Sequence, residues 1–340
     1  MIDWSACPRV EEILAPNPET FHRDVKLRER PVVMRGLVAH WPAAVAGAAS
    51  DEALCQYLAR AAQPRPIEFF YAAPETGGRI GYRPDFSGFN FERRTASVAD
   101  LVAELLRLRD HPAPPSLYAG ALRMKESFPG FSADNPDPLI DTSTAQLNSV
   151  WIGNRVTIAA HWDLARNLIC VIGGRRRYIL MPPEQVRNLY VGPIETTPAG
   201  QPMSLVNFHA PDFAAHPLFK DAAQTAQIAE LGSGDALFLP SLWWHHAETL
   251  SPVGAMVNCW WRDTPGWMTT PLTTMMHALL TIRDLPEAER AAWRAFFDHY
   301  VFSAESDGME HVPEHARGVL GPMTAAKAAQ LRAMIAQRIS

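Results

Sequence analysis

Apolar and polar positions in the first third of the chain predict a mixture of strands and helices. Short apolar runs closed by turn residues are typical of strands, whereas apolar residues spaced three and four apart are typical of helices. Ser97, followed three residues later by Asp100, forms a pattern close to a capping box and predicts the start of a helix. The predicted elements are strands at 31–36 and 67–71 and helices at 51–62 and 97–109.

The middle of the chain, from about Ser116 to Arg262, changes to short apolar runs separated by glycine and proline. Gly173 and Gly174 stand between two such runs and predict a hairpin turn. Short strands joined by Gly/Pro turns favour an antiparallel barrel or jelly roll. The predicted strands are 167–172, 175–181, 236–239, 243–250 and 255–261.

The end of the chain has the periodicity of helices. The predicted helices are 273–283, 287–297 and 324–339. The sequence therefore predicts a mainly β protein with flanking helices in three parts. These parts are a mixed α/β elaboration packing on the barrel (1–115), the β-rich domain (116–264) and a helical region (265–340).

Composition and charge narrow the classes of partner. The chain has 340 residues, 47% of them hydrophobic, and a formal net charge of −5. Its densest basic run is only Arg175–Arg177, so nothing predicts binding to nucleic acid. No apolar run reaches the roughly 18 residues that a membrane span needs, and we expect no binding to membranes.

Cysteine usage and the N-terminus predict a compartment. The four cysteines are scattered without C-x-x-C spacing, and Cys170 and Cys259 lie in apolar runs, which indicates buried thiols. The first five residues lack the pattern of a signal peptide. We therefore expect a soluble, cytoplasmic protein with reduced cysteines.

The motif His161-Trp162-Asp163 is the strongest chemical signal. Residues two apart in a strand share a face, so His161 and Asp163 can offer an imidazole nitrogen and a carboxylate oxygen to one metal ion. A second histidine is available at 245 or 246 on a later predicted strand. Two histidines and one carboxylate form the facial triad of non-haem iron oxygenases, which leaves positions open for substrates.

Each part of this pattern also has a purely structural interpretation. An isolated H-x-D motif occurs often by chance, and paired histidines beside Trp243 and Trp244 are common at packed strand ends. Alternation separates His245 and His246 onto opposite faces but does not say which of them faces inward. Burying a carboxylate with two imidazoles would, however, be costly without a metal.

Several motifs in the same order give the stretch Trp151–Asp263 a family resemblance. It resembles the JmjC/cupin-like family of Fe(II)- and 2-oxoglutarate-dependent oxygenases, and is similar in particular to the asparaginyl hydroxylases of that family. The resemblance implies a double-stranded β-helix with iron held by His161, Asp163 and His245. The matching segments are 160–163, Asn167, 174–176, 182–183, 189–193, 234–235, Pro240, 243–246 and 257–260.

The resemblance also implies a site for 2-oxoglutarate. The distal carboxylate of this co-substrate would be buried and needs a partner. In the family a lysine with a neighbouring tyrosine supplies it, and the matching positions are Arg176 and Tyr118. Arginine for lysine keeps the charge and adds a bidentate fork. The alternative is that all three arginines of 175–177 are solvated.

Other positions match residues near the co-substrate or the substrate. Asn167 and Asn258 match amide side chains beside the co-substrate. The family's threonine ahead of the H-x-D motif is one residue out of register, since Thr157 stands here beside Ile158 at the strict position. Trp260 matches a residue of the substrate channel, although packing in the core explains it equally well.

The leading interpretation is an enzyme that couples oxidative decarboxylation of 2-oxoglutarate by O2 to hydroxylation of a protein side chain or a small molecule. Demethylation by the same chemistry stays open. The alternatives are a cupin metalloenzyme that does not use 2-oxoglutarate and a non-catalytic metal-binding scaffold. The mostly apolar run 275–282 and the resemblance suggest a homodimer through the C-terminal helices.

Overall fold

A computed structural model describes residues 2–140, 146–303 and 311–339 of the chain. The chain divides into two compact units, Met1–Arg262 and Asp263–Ser340. The predicted boundary after residue 264 lies close to this division. The predicted boundary after residue 115 falls inside the larger unit.

The strands of the described residues all lie in the larger unit and form two sheets. In chain order they are β1 Glu11–Leu14, β2 Val32–Arg35, β3 Ile67–Ala72, β4 Arg79–Ile80, β5 Glu92–Ala96, β6 Ser116–Arg123, β7 Gln146–Gly153, β8 Thr157–His161, β9 Arg166–Gly173, β10 Arg176–Met181, β11 Gln227–Leu231, β12 Ala236–Leu239, β13 Trp244–Thr249 and β14 Gly254–Trp261.

The α-helices are α1 Pro18–Thr20, α2 Pro42–Ala49, α3 Asp51–Ala61, α4 Val98–Leu108, α5 Met124–Ser127, α6 Phe131–Asp134, α7 Phe219–Gln224, α8 Pro271–Thr281, α9 Glu287–Phe297 and α10 Ala325–Ile339. Short 3₁₀ and π segments lie at Trp4–Ala6, Phe21–Val25, Lys26–Arg28, Pro74–Thr76, Pro183–Arg187, Asp298–Phe302, Glu314–Ala316 and Gly318–Leu320.

Strands β7 to β14 form a jelly roll. The larger sheet has the order β1-β2-β12-β9-β14-β7-β6-β3-β5, and the smaller has the order β11-β10-β13-β8-β4. Strands β7, β9, β12 and β14 belong to the first sheet, whereas β8, β10, β11 and β13 belong to the second. The chain thus passes repeatedly between two antiparallel sheets, and the predicted jelly roll is confirmed.

The N-terminal part extends both sheets. Strands β1 and β2 continue the larger sheet beyond β12, strands β3 and β5 extend its opposite edge, and β4 pairs with β8 in parallel. The elaboration predicted for residues 1–115 therefore shares hydrogen-bonded sheets with the barrel.

Local sequence rules explain how the flanking helices begin and pack. The Ser97 hydroxyl accepts a hydrogen bond from the Asp100 amide at 3.0 Å, as the capping pattern predicts. Helix α4 then buries its apolar face in the main core. Helix α2 approaches β9 so closely that a Cβ on Gly47 would lie 1.9 Å from the Ile172 carbonyl oxygen.

The hairpin between β9 and β10 follows its predicted chemistry. Gly174 adopts a φ of +73°, a backbone conformation that residues other than glycine rarely adopt. The Arg175 amide donates to the Ser251 hydroxyl at 2.9 Å, which ties the turn to the loop before β14. No disulfide joins the four cysteines, all of which lie in the described residues, and three of them are buried.

The smaller unit is helical over its described residues. Its longer helices are α8, α9 and α10, close to the three segments that periodicity predicts. Several large apolar side chains on these helices are exposed. Within the described part of the chain, no helix combines the length and the apolar character that crossing a membrane requires.

Candidate metal centre

Two neighbouring strands of the smaller sheet bring the three predicted ligands together. His161, the last residue of β8, pairs in register with His245 in β13. Asp163 lies two residues beyond the end of β8, and its Oδ2 is 3.6 Å from His245 Nε2. The imidazole rings of the two histidines are 4.2 Å apart between centroids. One ligand atom from each residue lies within 4.8 Å of the others.

Backbone carbonyls orient both imidazoles. His161 Nδ1 lies 2.9 Å from the Ala159 carbonyl oxygen, and His245 Nδ1 lies 3.0 Å from the Trp243 carbonyl oxygen. A carbonyl only accepts, so each Nδ1 carries a proton, and in the neutral ring the lone pair is then on Nε2. This is the tautomer in which imidazole binds a metal through Nε2.

Burial of the charged form of Asp163 makes binding of a cation at this site favourable. Burial raises the pKa of Asp163, while the nearby His161 and a hydrogen bond from Asn167 oppose the rise. Burial, reinforced by the nearby His161, lowers the pKa of His245 well below its ordinary value. A neutral imidazole beside a buried carboxylate leaves the negative charge uncompensated, and a divalent cation would compensate it.

A chain of side-chain hydrogen bonds leads to the carboxylate from the larger sheet. The Trp151 indole donates to Asn258 Oδ1 at 2.6 Å, and the Asn258 amide donates to Asn167 Oδ1 at 3.4 Å. Asn167 in turn donates to Asp163 Oδ2 at 3.5 Å. The two asparagines predicted beside the co-substrate therefore position the carboxylate ligand.

Arg176 is a buried cation, and some of its hydrogen-bond donors have no acceptor among the described residues. Its side chain lines the same cavity as the three ligands and is 3% exposed. Among the described residues, its Nε and Nη2 have no hydrogen-bond partner. Its charge lowers the pKa values of Tyr118 and Tyr178, although burial raises both overall. Arg176 is therefore not solvated, in contrast to the alternative interpretation of the arginine run.

Thr157 departs from its predicted role. A bulge in β8 makes His245 pair with His161 but Ala247 pair with Ile158 and Glu248 with Thr157. Ile158 consequently lines the cavity, whereas Thr157 faces the outer surface of the sheet with Glu248. The expectation that Thr157 binds the co-substrate is corrected on this ground, because its side chain is on the wrong face.

The structure shows which of the remaining aromatic and histidine side chains point into the cavity and which point away from it. Trp260 lines the cavity and packs edge-on against Trp151, and its indole lowers the pKa of Asp163. Trp162 packs outside, against a separate apolar cluster. His246 faces away from the cavity and stacks on Phe208 at 4.4 Å, so His245 is the histidine that joins the site.

The ligands and Arg176 share a cavity of about 690 Å³. Charged residues of β3, β5 and β6 also line it. Sequence reasoning did not single out Trp151, Tyr178 or Met203, which also line it. Tyr178 could have been found, since it lies two residues after Arg176 and shares its face; the others depend on tertiary packing.

Comparisons with known proteins show which family has a similar sequence. The profile of a family described as "Cupin-like domain" matches residues 18–266. The tRNA wybutosine-synthesizing protein 5 of Danio rerio is 25% identical over 263 residues, covering 73% of each chain. The lysine-specific demethylase JMJ31 of Arabidopsis thaliana is 27% identical over 125 residues, covering 36% of this chain and 22% of its own length.

A third relative also matches only in part. The human HSPB1-associated protein 1 is 31% identical over 153 residues, which cover 43% of this chain and 30% of that protein. The chain thus spans less than a third of the length of the Arabidopsis and human relatives that it matches, but nearly three quarters of the zebrafish protein.

Proposed function

Since the chain belongs to the cupin-like, JmjC-type family of metal-dependent oxygenases, we propose that it is an Fe(II)- and 2-oxoglutarate-dependent dioxygenase that hydroxylates a protein side chain or a small molecule. The single observation that carries this proposal is the buried guanidinium of Arg176, whose Nε and Nη2 have no hydrogen-bond partner among the described residues, in the cavity of the metal ligands. A buried cation of this kind needs an anion, and a dicarboxylate bound at the metal would supply one.

The residues divide the work as follows. His161, Asp163 and His245 would hold Fe(II), which leaves coordination positions for the 2-oxo acid and dioxygen. Bound iron would supply the redox chemistry that couples decarboxylation of 2-oxoglutarate to hydroxylation. Arg176 would donate to the distal carboxylate through Nε and Nη2, with the Tyr118 hydroxyl as a second donor.

Trp260 and the charged residues of β3, β5 and β6 that line the cavity would contact the substrate. The names of two relatives refer to lysine demethylation and tRNA wybutosine synthesis, so these relatives do not indicate one substrate. The acidic balance of this chain favours a protein or a small molecule over nucleic acid. The mostly buried cysteines form no disulfide among the described residues, which supports a reducing compartment, and we propose the cytoplasm.

The decisive experiment is an anaerobic titration of the metal-free chain with Fe(II) and then 2-oxoglutarate, monitored by the visible charge-transfer band of the chelate. The unaltered protein should develop the band with both additions. His245→Ala should abolish it, because the metal loses a ligand.

Arg176→Ala should weaken 2-oxoglutarate binding by at least about 100-fold, since it removes two hydrogen bonds and bonds to charged groups contribute about 1.5–3 kcal/mol each. Arg176→Lys keeps the charge and should lose only about tenfold. The matched control is Arg175→Ala, because that side chain is 67% exposed. Equal affinities for all variants would refute the proposal.

The titration also separates the alternatives. Iron bound without a band would favour a cupin metalloenzyme that does not use 2-oxoglutarate. Absence of iron binding would favour the non-catalytic scaffold. With the band established, mass spectrometry of candidate substrates distinguishes an added oxygen from a lost methyl group.

A further inference from the structure

A second group of potential metal ligands lies on the outer face of the smaller sheet. His246 and Glu248 are two residues apart in β13 and face away from the cavity, opposite to His245. His209, from the segment between β10 and β11, approaches them from outside. One ligand atom from each of the three lies within 4.8 Å of the others. This outer cluster shares no residue with the candidate centre inside the barrel.

The distances within the outer cluster match the geometry of a bound metal. Glu248 Oε1 lies 3.2 Å from His246 Nε2 and 3.5 Å from His209 Nε2. In a tetrahedral site with bonds of about 2.0–2.2 Å, ligand atoms are about 3.3–3.6 Å apart. The two distances from Glu248 are close to this range, and a single ion can contact all three atoms once the side chains adjust.

Burial encloses the inner two residues, since His246 is 2% exposed and Glu248 is 5% exposed. His246 Nε2 and Glu248 Oε1 face each other at 3.2 Å, and among the described residues His209 is the other group that approaches this carboxylate oxygen. A carboxylate buried against imidazoles is stabilised by a cation, and a metal ion between these atoms would supply one.

The surroundings hold the cluster in place without occupying it. Arg177 contacts the other carboxylate oxygen of Glu248, Oε2, at 3.4 Å and bonds more closely to Glu230. Oε1 consequently stays directed at the histidines. Phe208 stacks on the His246 ring, and its carbonyl accepts from the Trp4 indole at 2.9 Å. This anchoring fixes the backbone next to His209.

We propose that His209, His246 and Glu248 bind a divalent transition-metal ion, preferentially Zn²⁺, in a second site outside the barrel. Two imidazoles and one carboxylate suit Zn²⁺, and the partly exposed His209 side leaves room for a water as the fourth ligand. Zn²⁺ binds such ligands more tightly than Fe(II) does. The ion would join the 206–209 segment to β13, the strand that carries His245.

Metal stoichiometry tests this site independently of any activity. The full-length protein is stripped with a chelator, loaded with excess Zn²⁺, passed through a desalting column and assayed for zinc by elemental analysis. The unaltered protein should retain two equivalents, His161→Ala one, His209→Ala one, and the double variant none. His40→Ala removes an exposed histidine elsewhere and should retain two. Circular dichroism checks that each variant is folded.

Co²⁺ provides a second readout, since four-coordinate Co²⁺ absorbs visible light far more strongly than six-coordinate Co²⁺. In the His161→Ala background, Co²⁺ should give the strong absorption, and Glu248→Gln should remove it. One equivalent in the unaltered protein that His161→Ala removes, or equal zinc in the unaltered and His209→Ala proteins, would overturn the second site. A deficit only in His161→Ala concerns the inner centre, so failures of the two proposals are distinguishable.

Discussion

Asp163 and Arg176 are buried side chains of opposite charge in the same cavity, and no ion pair joins them among the described residues. Each would therefore be costly by itself. A divalent cation beside Asp163 and a dicarboxylate beside Arg176 would neutralise both at once. Because the two charges are uncompensated in the same cavity, we expect the metal and the co-substrate to bind jointly, each increasing the affinity for the other.

The Asn258 amide links the indole of Trp151 to Asn167 and so supports the carboxylate ligand. We expect Asn258→Ala to lower Fe(II) affinity by about 10–100-fold, because residues that orient a ligand typically contribute that much. Anaerobic metal titration measures it. Asn188→Ala, whose amide contacts Gln185, is the control. An unchanged affinity would show that Asp163 needs no such support.

Ile158 and Thr157 offer a test of which residue faces the co-substrate. Thr157→Val should leave the affinity for 2-oxoglutarate unchanged, because Thr157 faces outward with Glu248. Ile158→Thr places a hydroxyl inside the cavity and should change that affinity severalfold. Titration of 2-oxoglutarate against the iron-loaded variants measures both. A loss confined to Thr157→Val would contradict the observed register.

At the residue level, local periodicity predicted part of the site. The shared face of His161 and Asp163 follows from their spacing, although Asp163 lies beyond the strand end. Periodicity did not choose between His245 and His246, and the family resemblance did. The role predicted for Thr157 failed for a different reason. The bulge arises from the pairing of β8 with β13, and the sequence of β8 alone does not indicate it.

At the level of elements, strands with apolar runs and helices with a clear periodicity were predictable. The sequence predicts α9 with the same bounds as the structure, and the hairpin at Gly174 follows from its glycines. Strand β5 was not predicted, since its sequence Glu-Arg-Arg-Thr-Ala is polar and mostly exposed. It forms because β3 offers a partner along the sheet edge, which only the tertiary structure provides.

The contact between α2 and β9 leads to a prediction about stability. Gly47→Ala should destabilise the protein by about 1–2 kcal/mol net, since overpacking costs about 1–3 kcal/mol and the obstructing atoms belong to the backbone of Ile172 and Gly173. The better helix propensity of alanine, about 1 kcal/mol, offsets only part of this. Urea denaturation measures the change. Gly266→Ala meets no atom within 4 Å and serves as the control.

At the level of the whole molecule, the predicted homodimer stays a proposal that the helical unit motivates. Leu280 in α8 is 78% exposed, and Met275, Met276, Trp293 and Phe296 are exposed on α8 and α9. We expect a dimer by light scattering, converted to a monomer by Leu280→Glu. Leu14→Glu, at an equally exposed leucine (83%) in β1, should leave it dimeric. A monomeric unaltered protein would reject this arrangement.

The bulge in β8 also limits how roles can be transferred between relatives. Ile158 and Ala159 are consecutive and both line the cavity, so the strand contains one residue more than its partner at this point. In a sequence alignment, residues from the bulge to the metal motif therefore face the same way in each relative. Residues before the bulge face the opposite way in a relative that lacks it. Two homologues that differ by a single insertion here would present different side chains to the same ligand, while their aligned sequences still appeared equivalent.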